Sequence, residues 1–294
     1  MNVGFIGLGK MGLAMADRIL GGGNDMVVYN RTTAKCNDLV SRGAKLAGSV
    51  KDAARYGAVV VTMVENDAAL THVSLGENGL VHSMPKGAIH VAMGTHSLSL
   101  IKKLTEAHAA AGQVLVSAPV MGRPPVAAAG QLGIVAAGPA EAVAKVQPLF
   151  AVMGRRTFDG GLDPVGAAAA KIANNFVLAC AIEAMGEGFA LAEKCGVSGA
   201  VFFDILTDGL FAAPAYKTYG KLIAEKGYFG APGFTATTGL KDVNLALSAG
   251  EQVAVPLPSA NVCRDRLLSA IAHGDGDRDW SIMAHEQARA SGIA

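Results

Sequence analysis

The sequence predicts an α/β protein in which a doubly wound parallel sheet is followed by an all-helical domain. Short apolar runs rich in β-branched residues recur through the first half of the chain, and their lack of alternation indicates strands buried on both faces. Segments with helical spacing lie between these runs, and this alternation is typical of a parallel sheet covered by helices. After Gly161 the strand-like runs stop and longer helical segments follow.

The predicted strands of the first half are residues 3–6, 26–29, 58–64, 89–93, 114–116 and 133–136. The helices predicted between them are residues 11–20, 49–56 and 97–111. Ser49 and Ser97 stand at the start of two of these helices, where a side-chain hydroxyl accepts a hydrogen bond from a free backbone N–H.

The second half opens with a helix of unusual length. Asp163 and Pro164 form a typical helix start, and no strong helix breaker follows before Gly196. A helix of roughly 30 residues exceeds what one globular core usually needs, so we expect it to link two domains. The sequence predicts further helices at residues 200–206, 213–225, 238–249 and 258–272. We therefore expect a first domain at residues 1–162 and a helical domain at residues 163–294.

Composition excludes several classes of partner. Lys plus Arg number 25 against 24 Asp plus Glu, so the chain lacks the positive field that gathers nucleic acid. The four cysteines form no CxxC pair and the histidines show no ligand spacing, so we expect reduced thiols and no metal. The most apolar stretch, residues 165–185, contains Lys171, Asn174, Asn175 and Glu183, and the N-terminus carries no signal-peptide pattern. We expect a cytoplasmic protein that does not bind a membrane.

The strand at 3–6 is followed by a glycine-rich loop that opens the first helix and consists of Gly7, Leu8, Gly9, Lys10, Met11 and Gly12. In a chain with 37 glycines this spacing is weak by itself, but its place between a strand and a helix is informative. The first glycine permits a sharp turn, the second lets a pyrophosphate approach the backbone, and the third lets helix and strand pack closely. The helix N-terminus adds free N–H groups and a partial positive charge. The loop therefore predicts a Rossmann dinucleotide-binding domain.

The second strand ends in Asn30, Arg31 and Thr32, at the place where such a domain inspects the adenosine ribose. An acidic side chain there would bind a ribose 2′-hydroxyl and repel a 2′-phosphate. This chain instead has an amide, a guanidinium and a hydroxyl, so NADP(H) is predicted to be preferred over NAD(H).

Further motifs follow along the chain: Met63-Val64 after a strand, Thr95, Ser117 to Gly122, Lys171 to Asn175, Lys241-Asp242, and a Gly-Asp-Gly-Asp-Arg-Asp-Trp-Ser segment ending at Ser281. Together with the glycine loop they resemble the β-hydroxyacid dehydrogenase family, which includes 3-hydroxyisobutyrate dehydrogenases and 2-hydroxy-3-oxopropionate reductases. The resemblance covers essentially the whole chain. It implies an NAD(P)-dependent oxidoreductase acting on a small-molecule carbonyl or hydroxy acid, with a helical domain like that of 6-phosphogluconate dehydrogenase. It also implies a homodimer or higher homo-oligomer, which the apolar, alanine-rich helices independently favour.

The resemblance implies roles for individual residues. Lys171 is expected to be the acid/base that exchanges a proton with the substrate oxygen, and Asn175, four residues later on the same helix face, to orient it or hold a substrate hydroxyl. The family pattern also implies that Met63 and Val64 line the dinucleotide, that Thr95 lies near the nicotinamide and that Lys241 closes over the cofactor. From position alone, the preferred interpretation of Lys171 is a lysine that reaches from a partly apolar helix to water, and the resemblance reverses this preference.

The resemblance implies that residues 117–125 form a substrate loop, and this loop departs from the family pattern. Typical members have a serine and a glycine where this chain has Met121 and Arg123 on either side of Gly122. In one interpretation Arg123 binds a substrate carboxylate, which retains a β-hydroxy acid or semialdehyde. In the other, Met121 makes the pocket apolar and favours a less polar carbonyl or an imine. Imine reductases of similar architecture usually lack the lysine, so Lys171 favours carbonyl chemistry. A third hypothesis, a dinucleotide-binding module without catalysis, is disfavoured by the retention of Lys171 and Asn175.

Overall fold

A computed structural model describes residues 1–293 of the protein and shows two compact units. The first is Met1–Lys171 and the second begins at Ile172. This division falls inside the long helix. The boundary predicted from the sequence lies before the helix, between residues 162 and 163.

The first unit contains nine strands: β1 (Asn2–Ile6), β2 (Asp25–Tyr29), β3 (Lys45–Leu46), β4 (Val59–Thr62), β5 (Ile89–Ala92), β6 (Val114–Ser117), β7 (Val120–Met121), β8 (Leu132–Ala136) and β9 (Gly154–Asp159). Its helices are α1 (Lys10–Gly21), α2 (Asn37–Ser41), α3 (Val50–Arg55), α4 (Asp67–Leu75), α5 (Leu80–Ser83), α6 (Leu98–Ala110), α7 (Pro124–Ala128) and α8 (Ala140–Met153). The hydroxyls of Ser49 and Ser97 accept hydrogen bonds from the backbone N–H groups of Asp52 and Leu100, which confirms both predicted helix caps.

Six strands form one parallel sheet in the order β3-β2-β1-β4-β5-β6, which confirms the predicted doubly wound fold. The strand order reverses between β1 and β4, where such sheets bind ligands. The last residues of four central strands, Ile6, Tyr29, Thr62 and Ala92, pair with one another in register. The loops that follow these strands therefore leave the sheet at one common edge.

Helices pack on both faces of this sheet. Val3 and Phe5 of β1 belong to one buried cluster with residues of α1 and α8, while Ile6 belongs to a second cluster with residues of α3. Gly4 allows α3 to approach closely, because a Cβ there would lie 2.3 Å from the Ala53 carbonyl oxygen.

The prediction that residues 133–136 belong to the main sheet is wrong. They form β8 in the centre of a separate three-stranded sheet, antiparallel to β7 and parallel to β9. β9 was not predicted because its sequence, Gly-Arg-Arg-Thr-Phe-Asp, is polar and mostly exposed at the edge of this small sheet. The two-residue strand β3 was also not predicted, because it is too short to carry a pattern.

The remaining helices are α9 (Pro164–Lys194), α10 (Gly199–Asp208), α11 (Pro214–Ala224), α12 (Ala236–Gln252), α13 (Pro258–Ala272) and α14 (Met283–Ala290). The predicted long helix and the predicted helix at 258–272 are confirmed. α14 was not predicted; it is short and polar apart from its first turn. The core of the second unit surrounds Trp280, which packs edge-to-face on Phe234 and Tyr219.

By length and composition alone, α9 is apolar enough to cross a membrane: its most apolar window has a mean hydropathy of 1.5 and is 33% buried. The same properties are found in core helices of globular proteins. Two of its polar residues are buried and engaged in the second unit, Asn175 with Asp242 and Glu183 with Arg266. These contacts favour a core helix.

A chain of buried hydrogen bonds supports the end of β4, directly before Met63. His90 Nε2 lies 2.8 Å from Thr62 Oγ1, and His90 Nδ1 lies 2.9 Å from His108 Nε2. His108 Nδ1 lies 2.7 Å from Gln113 Oε1, while the Gln113 amide nitrogen donates to two backbone carbonyls. Because Gln113 Oε1 can only accept, His108 Nδ1 and then His90 Nδ1 must carry the protons, and Thr62 donates to His90. Both imidazoles are neutral in this arrangement.

We expect this chain to make the protein sensitive to mild acid. Burial holds the pKa of His90 well below its usual value and also lowers that of His108. The unfolded chain therefore binds more protons below about pH 6.5, so stability is full above that pH and falls as the pH decreases. The expected slope is about 1.4 kcal/mol per pH unit for each histidine. Urea unfolding between pH 7.5 and 5 measures it.

The matched variants are His108→Gln, which should reduce the slope by about half, and His82→Gln at an exposed position, which should leave it unchanged. A free energy of unfolding that is constant across this range would contradict a buried neutral histidine pair.

Candidate active site

The glycine loop at the end of β1 has the geometry of a phosphate cradle. Gly7 has φ +99°, and a Cβ there would lie 2.3 Å from the Met63 carbonyl oxygen. A Cβ on Gly12 would lie 1.9 Å from the Gly7 carbonyl oxygen. Packing within the protein therefore requires both glycines. Gly9 is different, because a Cβ there would meet no described atom within 4 Å.

The open space at Gly9 lies at the N-terminus of α1. Gly9 is the capping residue, has no side chain to satisfy the free N–H groups, and no acidic residue lies in the first turn. Lys10 is exposed and Met11 is half-buried beside it. A helix N-terminus without a side-chain cap, the helix dipole and open space are the features that accept a pyrophosphate, so the loop fits a dinucleotide.

Two residues predicted as cofactor contacts have internal roles. The Leu8 side chain is 1% exposed, and its backbone N–H donates to Asn30 Oδ1 at 2.9 Å. Asn30 Nδ2 donates to the Thr32 carbonyl oxygen at 3.0 Å. Asn30 thus ties the glycine loop to the end of β2, instead of presenting a free amide at the ribose position.

The exposed groups after β2 are cationic. Arg31 and Thr32 are exposed, and Lys35, in the 3₁₀ turn that follows, is exposed four residues after Arg31. Among the described residues neither Arg31 nor Lys35 has an ion-pair partner. Lys35 was not predicted as a cofactor contact, although its spacing from Arg31 is visible in the sequence.

The loops after β4 and β5 lie against the glycine loop and each other. Met63 donates its N–H to the Ile6 carbonyl, and Val64 lies beside Gly7. A Cβ on Gly94 would lie 2.7 Å from the Val64 carbonyl oxygen, which places the half-buried Thr95 directly after that contact. The structure thus brings the predicted residues Met63, Val64 and Thr95 to the edge that carries the glycine loop.

A carboxylate that the sequence analysis did not select joins these two loops. Asp67, at the start of α4, accepts from the His96 ring at 3.1 Å and from the Ser97 backbone N–H at 3.1 Å. Burial by itself raises the pKa of Asp67, but the hydrogen bonds from His96 and Ser97 outweigh it and the net pKa is lowered. Asp67 is therefore ionised and fixes the segment that contains Thr95.

The substrate loop and the predicted acid/base residue meet within the first unit. Lys171 Nζ lies 3.7 Å from Met121 Sδ, although fifty positions separate them in the chain. Gly122 has φ +144°, and a Cβ there would lie 2.7 Å from Leu132 Cδ2, so glycine is required at this turn. Arg123 is half-buried and occupies the N-cap position of α7, whose first two residues are prolines. The prolines restrict the backbone that follows Met121, and the Met121 side chain contacts Lys171.

In the second unit, Asn175 belongs to a buried polar network. Its Nδ2 donates to Asp242 Oδ2 at 2.6 Å, and Asp242 is only 2% exposed. Lys241 Nζ lies 2.9 Å from Asp242 Oδ1, and the lysine side chain is 24% exposed. The Asn175 amide nitrogen is therefore held by Asp242, while its side-chain oxygen Oδ1 accepts from Asn174 Nδ2 at 3.3 Å.

Both halves of the chain match models of known protein families. Residues 2–161 match the NAD-binding domain of 6-phosphogluconate dehydrogenase, and residues 166–286 match the NAD-binding domain of NADP-dependent 3-hydroxyisobutyrate dehydrogenase. An oxidoreductase of Bacillus subtilis, YfjR, is 40% identical over 96% of this chain and 98% of its own length. Glyoxylate/succinic semialdehyde reductase 1 of Arabidopsis thaliana is 33% identical over 96% of this chain and 97% of its own length.

The fold is also that of a solved relative. The crystal structure of 3-hydroxyisobutyrate dehydrogenase from Salmonella typhimurium has a TM-score of 0.86 and 24% identity, covering 97% of this chain and 99% of its own. The two domain matches and the relatives that align over nearly their whole length confirm the resemblance stated from the motifs. The chain belongs to the β-hydroxyacid dehydrogenase family of NAD(P)-dependent oxidoreductases.

Proposed function

We propose that the protein is an NADP(H)-dependent reductase or dehydrogenase of a small β-hydroxy acid or semialdehyde, with Lys171 as general acid/base. The observation that carries this proposal is the contact between Lys171 Nζ and Met121 Sδ, which puts an ammonium group beside the substrate loop. A thioether is a weak acceptor, so this contact positions the ammonium without neutralising its charge.

When bound, the nicotinamide supplies or accepts the hydride. During reduction, negative charge develops on the substrate oxygen, and the Lys171 ammonium stabilises this charge and then donates its proton to form the hydroxyl. In the reverse direction the neutral amine accepts the hydroxyl proton. Asn175, one turn later on α9, is fixed by Asp242 through its amide nitrogen and is proposed to hold a substrate hydroxyl or the lysine.

Arg123 is proposed to recognise the substrate carboxylate. It is half-buried directly after Gly122, and a guanidinium forms two parallel hydrogen bonds with a carboxylate. The similarity to a glyoxylate/succinic semialdehyde reductase supports a small oxo acid. Met121 beside Lys171 supports the competing proposal of a less polar carbonyl or an imine.

Oxidation of NADPH with a panel of substrates decides between these proposals. Glyoxylate, succinic semialdehyde and their uncharged analogues test for the carboxylate, and a cyclic imine tests for imine reduction. We expect the oxo acids to turn over fastest and Arg123→Leu to remove that advantage. Faster turnover of the imine would support the competing proposal. Tight binding of NADPH without turnover of any compound would support the non-catalytic module.

Arg31→Ala is expected to weaken NADPH binding at least about tenfold while changing NADH binding little, because only NADPH carries a 2′-phosphate for a charged hydrogen bond. Fluorescence titration with both cofactors measures this. Lys35→Ala should shift the same ratio in the same direction. Arg55→Ala is the matched control, since Arg55 is exposed at the end of α3. An equal effect of Arg31→Ala on both cofactors would remove the argument for NADP(H).

A further inference from the structure

The second unit contains a cavity of about 100 Å³ that none of the predicted active-site residues line. Its walls come from the C-terminal part of α9, the end of α11 and the first turns of α14. Phe189 and Ala284 supply apolar surface. Four polar or charged side chains also line it, namely Glu193, Lys226, Tyr228 and His285.

Tyr228 supplies a hydroxyl group to this cavity. The residue is 3% exposed, and its hydroxyl forms no hydrogen bond with any residue of the described chain. Its ring packs against Phe229 and His285, with centroids 4.8 and 5.6 Å away. Burial raises the pKa of Tyr228 and lowers that of His285, so both groups are neutral near pH 7. Buried hydroxyls normally have a partner, and this one lines a cavity that can hold one.

Two opposite charges line the same cavity without pairing. Glu193 and Lys226 are both exposed, and within residues 1–293 neither has an ion-pair partner within 4.0 Å. Lys226 has φ +53° at the second position after the end of α11, where glycine or asparagine is the usual residue. A lysine is therefore present at a position where the backbone by itself favours glycine.

We propose that this cavity binds a small zwitterion, an α-amino acid with a short side chain, between Lys226 and Glu193. Lys226 would bind the carboxylate, Glu193 the ammonium group and the Tyr228 hydroxyl one of the ligand's polar atoms, while Phe189 and Ala284 contact its side chain. The volume holds several water molecules but is below the range of sites for drug-sized ligands or nucleotides. A simple anion would face Glu193 and a simple cation would face Lys226, whereas a ligand with both charges can pair with both groups.

Isothermal titration calorimetry on the full chain with L-alanine as the probe tests the proposal. Propionate and ethylamine each lack one of its charges and are expected to bind at least about tenfold more weakly. Glu193→Gln and Lys226→Gly should each weaken L-alanine binding by a similar factor. Because glycine suits the backbone at 226, loss of binding in Lys226→Gly cannot be attributed to misfolding. Lys221→Gln and Glu225→Gln are matched controls, since these residues form an exposed pair that does not line the cavity.

A further variant separates this site from the candidate active site. Lys171→Ala, measured with NADPH present, should retain L-alanine binding. The proposal is overturned if L-alanine does not bind, if propionate or ethylamine binds as tightly, if Glu193→Gln and Lys226→Gly bind normally, or if Lys171→Ala abolishes binding. None of these outcomes bears on the proposed oxidoreductase reaction, which is measured independently by NADPH turnover.

Discussion

Lys171→Ala is expected to lower kcat at least about a hundredfold while leaving the Kd for NADPH nearly unchanged. The ammonium stabilises charge only while it develops on the substrate oxygen, so its loss affects the transition state far more than the bound cofactor. Steady-state kinetics with the best substrate of the panel, combined with NADPH titration, measure the two quantities separately.

Two further variants show which property of the lysine matters. Lys171→Arg keeps a positive charge but cannot give up its proton, so it should also be slow if proton transfer is required. Met121→Leu removes the thioether next to Nζ while keeping an apolar side chain, and should reduce kcat much less. Unchanged turnover in Lys171→Ala would remove this residue from the mechanism, and full activity in Lys171→Arg would leave it an electrostatic role only.

Gly12→Ala is expected to lower the stability of the protein, whereas Gly9→Ala is expected to lower only its affinity for NADPH. The new Cβ at position 12 would lie 1.9 Å from the Gly7 carbonyl oxygen, so the loop must move and we expect a loss of about 3 kcal/mol or more in the free energy of unfolding. At position 9 the Cβ meets nothing in the protein, so stability should change by less than about 0.5 kcal/mol. NADPH affinity should nevertheless fall at least about tenfold, because the methyl group occupies the space proposed for the pyrophosphate.

Gly21→Ala is the matched control for Gly9→Ala. Gly21 belongs to the same helix, and a Cβ there also meets nothing within 4 Å, but it lies at the end remote from the loop. It should leave both stability and NADPH affinity unchanged. Chemical denaturation and fluorescence titration measure both properties for all three variants. Normal NADPH binding by Gly9→Ala would contradict the assignment of this loop to the cofactor.

Local patterns predicted local structure well. The apolar runs 3–6, 26–29 and 89–93 coincide with strands, and Ser49 and Ser97 cap the helices they precede. Strand pairing was less predictable. The run at 133–136 looks like the others, because burial on both faces produces the same pattern in either sheet, and only its neighbours place it between β7 and β9.

The roles of individual residues were predictable from the sequence where the backbone conformation alone determines which residue type fits. Gly7 and Gly12 are required by close backbone approaches that follow from the loop motif. Asn30 was correctly placed at the end of β2, but its internal hydrogen bonds depend on how the glycine loop approaches it. Asp67 gave no signal beyond a helix start, because its partner His96 lies 29 positions later.

By itself, the sequence determined the family, the dinucleotide-binding loop and the identity of the residues expected to carry the chemistry. These depend on interactions between near neighbours in the chain, which short motifs record. Only the tertiary structure decided that Lys171 lies on Met121, that Asn175 is held by Asp242, and that His90 and His108 form a neutral pair. Each of these contacts joins residues from different elements, and their distances are fixed by the packing of whole helices and strands, which no local pattern specifies.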